Sequence, residues 1–228
     1  MTRTTNARIA GFAFLFYIGV GITDLVIGGA TSAEGIAAKL ALVAQHTSRV
    51  QVTVLLSMLA GFTALVLGVA LYGITRDEDR DLAMLALACR IGEGLLGAFP
   101  LTTLGLLWLA TAQAGPNAPD AAAGHALGAF LLKMAGWETI VAATLFAVGS
   151  TLFSWLLLRG RMIPVALAWL GVFASVLLVM GLPLVLVGVL RGTITMIMWL
   201  PMAAFEVPLG FWLLVKGVAT PARRQSPA

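Results

Sequence analysis

With 228 residues, 60% of them hydrophobic and 11% charged, and a mean hydropathy of +1.00, the chain is too apolar to keep a soluble surface wet, which excludes soluble enzymes and soluble binding modules. A net charge of +4 and a pI near 9.8 would suit a nucleic-acid binder, but the basic residues lie at the ends of apolar runs rather than in a stripe, so that class is excluded too. The single cysteine, Cys89, rules out an internal disulfide and any cysteine-held metal cluster.

The first apolar segment runs from about Ile9 to Ile27, with Asp24 near its end. Arg3 and Arg8 precede it as in a secretory leader, but the run is long for one, and it reads as a retained span. Thr31 and Glu34 have the spacing of a capping box, and Ile36, Leu40 and Val43 then recur at helical intervals, which predicts an amphipathic helix to about His46. The second span, Val50 to Tyr72, carries Ser57, Gly61, Ala64 and Gly68 as a stripe of small residues that lets a neighbouring helix approach closely.

Arg76 to Asp81 is a turn of mixed charge without the glycine or frame of a calcium loop, and it reads as a solvated connection. The third span, Leu82 to Ala110, is over-long, with a kink predicted at Pro100. After Pro119, Asp120 is a good N-cap for a second amphipathic helix with Leu127, Phe130, Leu131 and Met134 on one face. Three further spans follow: Gly136 to Leu158, Ile163 to Leu190 with a second kink predicted at Pro183, and Ile194 to Val215. Each reaches or approaches the roughly 20 residues that a helix needs to cross a bilayer. The fold class is therefore all-α, a polytopic transmembrane bundle of about six spans with two amphipathic interfacial helices on the outer side. Residues 1–217 read as a single transmembrane domain and residues 218–228 as a short basic tail.

Lys and Arg set the orientation. Arg3, Arg8, Arg76, Arg80, Arg159, Arg161, Lys216, Arg223 and Arg224, nine residues, fall on one side, against Lys39, Arg49, Lys133 and Arg191, four residues, on the other. Both termini are expected in the cytoplasm of a cell whose inner membrane holds the protein.

Four carboxylates and one arginine lie within the spans: Asp24, Glu93, Glu138, Glu206 and Arg90. A charge at the bilayer centre costs about 2.5 to 3.5 kcal/mol or more, so these side chains should face protein or water. A rise of about 1.5 Å per residue places Arg90 roughly 12 Å, Glu93 roughly 16 Å and Glu206 roughly 14 Å from the basic side, at one height. Arg90 and Glu93 have the spacing at which opposite charges face one another on a helix. Two readings follow. Arg90 satisfies both Glu93 and Glu206 as a structural brace, or it holds one acid while the other carries a proton or binds a cation. Pro201 and Pro208 flank Glu206 and predict an interrupted helix with carbonyls beside the acid.

A second, outer group is expected from Asp24, Glu138, His46, His125 and Lys133. It contains ligand types suited to a divalent metal but no HExxH or paired-histidine spacing, so no metal or cofactor is assigned. Glu138 also reads as a carboxylate favoured near a helix start, and Trp137 as an interfacial anchor. The intramembrane serines, Ser57, Ser150, Ser154 and Ser175, read as bonded to their own backbone, and Cys89 as buried and inert.

The segments ARIAGFAFLFYIGVGITD, LYGITRDEDRDLAMLALACRIGE, LLLRGRMIPVALAWLGVFAS and FEVPLGFWLLVKG resemble the bacterial membrane-protein family known as domain of unknown function 4386, from about Ala7 to Gly217. The resemblance implies a membrane protein of six or so helices and no particular chemistry, and Arg90, Glu206 and Lys216 fall in the matching blocks. Three functions stay open: binding or translocation of a small apolar or cationic ligand against Glu93 and Glu206; an intramembrane enzyme acting on a lipid-like substrate from the outer group; and a non-catalytic partner or sensor subunit. The lipid bilayer is the one partner the composition requires. Nucleic acid is not expected, and the oligomeric state is open.

Overall fold

A computed structural model describes residues 2–29, 33–112 and 119–219. Thr31, half of the expected capping box, and Arg223 and Arg224 of the tail lie outside these residues. Among them the chain is all-helical: α1 (Arg3–Gly29), α2 (Ile36–Gln45), α3 (Thr47–Thr75), α4 (Arg80–Ala98), α5 (Leu101–Ala112), α6 (Ala121–Arg159), α7 (Val165–Leu186), α8 (Ile194–Ile197) and α9 (Leu200–Val215). With α4–α5 and α8–α9 each counted once, six helices are long and apolar enough to cross a membrane. The protein is a multi-pass membrane protein.

The long helices pack in the order α1, α3, α4, α6, α7, α9 and back to α1, so they enclose a centre. Glycine decides where two backbones touch. A Cβ on Gly61 of α3 would overlap the backbone of Ala98 and lie 2.6 Å from the Gly94 carbonyl of α4. The small-residue stripe thus packs within the chain. Gly11 of α1 meets α9 in the same way, 2.6 Å from the Gly210 carbonyl, and closes the ring. The apolar core runs from Phe14, Leu67, Ile74, Phe153, Leu157, Leu209 and Leu213, toward the end that holds the chain termini, to Leu178, Leu182, Met198 and Met202 further along the bundle.

That terminal end is clamped by polar contacts. Arg3 donates through Nη2 to the Ile74 carbonyl at 2.5 Å, occupying an acceptor that the end of α3 leaves free. Asp79 caps α4 by accepting from the Leu82 amide at 3.2 Å, and Arg159 donates to its other oxygen at 3.2 Å. The charged turn expected as a solvated connection is therefore a junction: short sequence spacing shows the cap, but not the arginine that α6 brings from 80 residues away.

Two other expectations need correction. The predicted second amphipathic helix is not separate, because α6 runs unbroken through 39 residues from its Asp120 cap, which accepts from Ala123 at 2.8 Å. Its Leu127 and Phe130 are exposed, while Gly124 and Gly128 are buried and Gly128 lets Ile36 of α2 approach. Pro100 does more than kink its span. Phe99 leaves the helical region with φ −120° and ψ 75°, as the clash with the following proline ring demands, and the span divides into α4 and α5. Pro183 and Pro208, by contrast, lie inside continuous helices.

Candidate functional site

Arg90 projects from α4 into the centre, where two glycines make room for it. A Cβ on Gly68 of α3 would come within 2.9 Å of the Arg90 Cβ, and one on Gly149 of α6 within 3.3 Å of its Cδ. The guanidinium is 1% exposed, lies with its Cζ 5.1 Å from the ring centre of Phe146, and places Nη1 2.8 Å from Glu93 Oε2. Nε and Nη2 find no acceptor among the described residues. A buried cation in this state is stabilised by its ion pair and the aromatic face rather than by a full set of hydrogen bonds.

The other Glu93 oxygen, Oε1, accepts from the Tyr17 hydroxyl at 3.2 Å. Sequence reasoning passed over Tyr17. The signal was present, since counting about 1.5 Å per residue from Arg8 places this rare mid-span hydroxyl roughly 14 Å along the first helix. Glu206, buried on α9, is beyond ion-pairing reach of Arg90 and makes no hydrogen bond among the described residues. The guanidinium does not bridge the two acids. It is held on the Glu93 side because that residue shares its helix face.

Pro208 does not open the helix beside Glu206, contrary to expectation. Its ring faces outward, like Ala204 one turn earlier, whose carbonyl it deprives of a donor, whereas Glu206 points inward. Pro201 occupies the first turn of α9, where an amide is dispensable. The interruption that does meet the centre is at Pro100. The ring at position 100 leaves the Leu96 carbonyl without its intrahelical donor, and both residues line the central space.

That space is a cavity of about 450 Å³. By position along their helices, Tyr17, Glu93, Phe146 and Glu206 lie at its deep end and Asp24, Thr102, Ala135, Glu138 and Thr139 at its mouth, and Trp199 also lines it. Phe146 and Trp199 stack there with ring centres 6.1 Å apart. At the mouth, Thr102 donates to Glu138 Oε2 at 3.0 Å, while Asp24 Oδ1 is buried with no partner. The two groups of acids expected at separate heights therefore share one cavity.

The remaining candidates lie elsewhere. His46 joins α2 to α3, His125 is exposed near the start of α6, and Lys133 is exposed with its Nζ 5.7 Å from the ring centre of Trp137; none lines the cavity. No three His, Cys, Asp or Glu side chains among the described residues are gathered as a metal site would need. Cys89 is buried, and Ser175 donates to the Gly171 carbonyl at 2.6 Å.

Six membrane-length helices around an acid-lined cavity define a polytopic helical membrane protein with an intramembrane polar site. Residues 9–217 match the family model described as domain of unknown function (DUF4386), and the chain belongs to that family. No curated protein and no solved structure matches the chain.

Proposed function

We propose that this protein binds small organic cations inside the membrane, as the recognition step of a translocation or sensing process. One observation carries the reading: four carboxylates, Asp24, Glu93, Glu138 and Glu206, line a single cavity among whose lining residues there is no Lys, Arg or His. Arg90, just behind the wall, is ion-paired to Glu93 and supplies one positive charge against the four acids. Ionised acids held in an apolar bundle gain most from a mobile cation, and the Trp199 ring, which lines the cavity, offers that cation a π-face. The cavity volume lies in the range of small-molecule sites.

The test is calorimetric titration of the detergent-purified protein with tetraethylammonium and tetrapropylammonium. Both should bind with one site or more per chain. Glu206→Gln, which keeps the side-chain shape, should weaken binding by about tenfold or more, the loss expected when a charged contact worth at least about 1.5 kcal/mol disappears. An affinity unchanged in this variant, with an unchanged elution profile, removes Glu206 from the site.

We further propose that both termini are cytoplasmic, so that the mouth faces away from the cytoplasm, supported by the nine-to-four distribution of Lys and Arg. Reporter fusions after Arg80 and Arg161 should report the cytoplasm and one after Gln113 the exterior. The opposite pattern reverses the orientation.

A further inference from the structure

The cavity has two acidic poles rather than one. Glu93 and Glu206 mark the deep pole, where Tyr17 and Phe146 lie; Asp24 and Glu138 mark the mouth. Two independent rulers give their separation. Tyr17 and Asp24 are seven residues apart on α1, and Phe146 and Glu138 eight apart on α6, which at about 1.5 Å per residue is roughly 10 to 12 Å in both cases. Between the poles the wall is small or apolar: Gly21, Ala60, Gly97, Ala142 and Ala143.

Each pole also has an acid in want of a partner. Glu206 is 8% exposed, faces the cavity and has no hydrogen bond or ion pair among the described residues. Asp24 Oδ1 is buried and likewise unpartnered. An unsatisfied buried acceptor such as Asp24 Oδ1 is uncommon in folded proteins, and with an unpaired Glu206 facing the same space a ligand is the economical explanation.

Building on the cation-binding reading above, we infer that the natural ligand is a linear dication, an α,ω-diamine or polyamine with an apolar spacer of about eight carbons, spanning Glu206 at the deep pole and Asp24 with Glu138 at the mouth. The charges call for a cation at each pole. With every group ionised, Arg90 leaves the deep pole at a net −1, and the mouth is at −2. A single cation could neutralise one pole and would leave the other bare. Binding at one end makes binding at the other intramolecular, so a spacer of matching length gains affinity without a new contact.

The test is titration of the purified full-length protein with octamethylenediamine, tetramethylenediamine and n-octylamine, with a Glu138→Gln/Glu206→Gln double variant as the blank for partition into detergent. Octamethylenediamine should bind one per chain and at least roughly tenfold tighter than n-octylamine or tetramethylenediamine. Glu206→Gln, and Asp24→Asn/Glu138→Gln at the mouth, should each lower the diamine to the affinity of the monoamine. The chain-length series is read on the wild type, so it decides the matter even if a variant fails to fold. If n-octylamine or the short diamine binds as tightly as octamethylenediamine, the spanning ligand is wrong while the cation site stands. If none of the three binds, and tetrapropylammonium does not bind either, the cation site falls as well.

Discussion

Arg90→Leu should destabilise the protein by about 3 to 5 kcal/mol, because it strands Glu93 as an uncompensated buried charge. The penalty arises whatever the net worth of the ion pair. Arg90 and Glu93 are 1% and 5% exposed, with Nη1 and Oε2 2.8 Å apart, so the loss of one leaves the other buried without its ion-pair partner. Removing both charges takes away the penalty together with the attraction, and Arg90→Leu/Glu93→Leu should be clearly milder than Arg90→Leu. Leucine also fills part of the space that Gly68 and Gly149 leave for the arginine stem. Thermal unfolding in detergent, followed by size-exclusion chromatography of the heated samples, ranks the variants. A double variant as damaged as the single would mean that Arg90 acts through its packing on Phe146 rather than through its charge.

The second large effect is expected at Gly61. A Cβ there overlaps the Ala98 backbone and comes 2.6 Å from the Gly94 carbonyl, and backbone cannot rotate out of the way as a side-chain end can. Gly61→Leu should cost at least about 1 to 3 kcal/mol by forcing α3 and α4 apart. It should also weaken cation binding, since α4 carries Glu93 and Gly97 of the cavity wall. Gly19→Leu is the control: a Cβ at Gly19 meets nothing within 4 Å, and this substitution should leave both stability and binding unchanged. Equal tolerance of the two leucines would show that α3 and α4 do not need their close contact.

Several features of the site were legible because they depend on separations along one helix. Arg90 and Glu93 are three residues apart, and a helix places them on one face whatever surrounds it. Depth is likewise a local quantity, since a fixed rise per residue set Arg90, Glu93 and Glu206 at one level before any packing was known. The stripe of Gly61, Ala64 and Gly68 marked a close-packed face for the same reason, though not which helix would occupy it.

What the sequence determined by itself was thus the class of protein: six membrane-length helices, their apolar character, and the residues that carry charge into them. The tertiary structure decided which faces meet. It joined Asp24 and Glu138 to Glu93 and Glu206 in one cavity, brought Tyr17 to Glu93 across 76 residues, and left Glu206 without the Arg90 bridge that equal height had suggested. Proline behaved in the same divided way, ending a helix at Pro100 but lying within continuous ones at Pro183 and Pro208. The physical reason is that height and periodicity are properties of one helix. The azimuth at which each helix meets its neighbours is set only when several small-residue contacts, such as Gly11 on Gly210 and Gly61 on Gly94, are satisfied together.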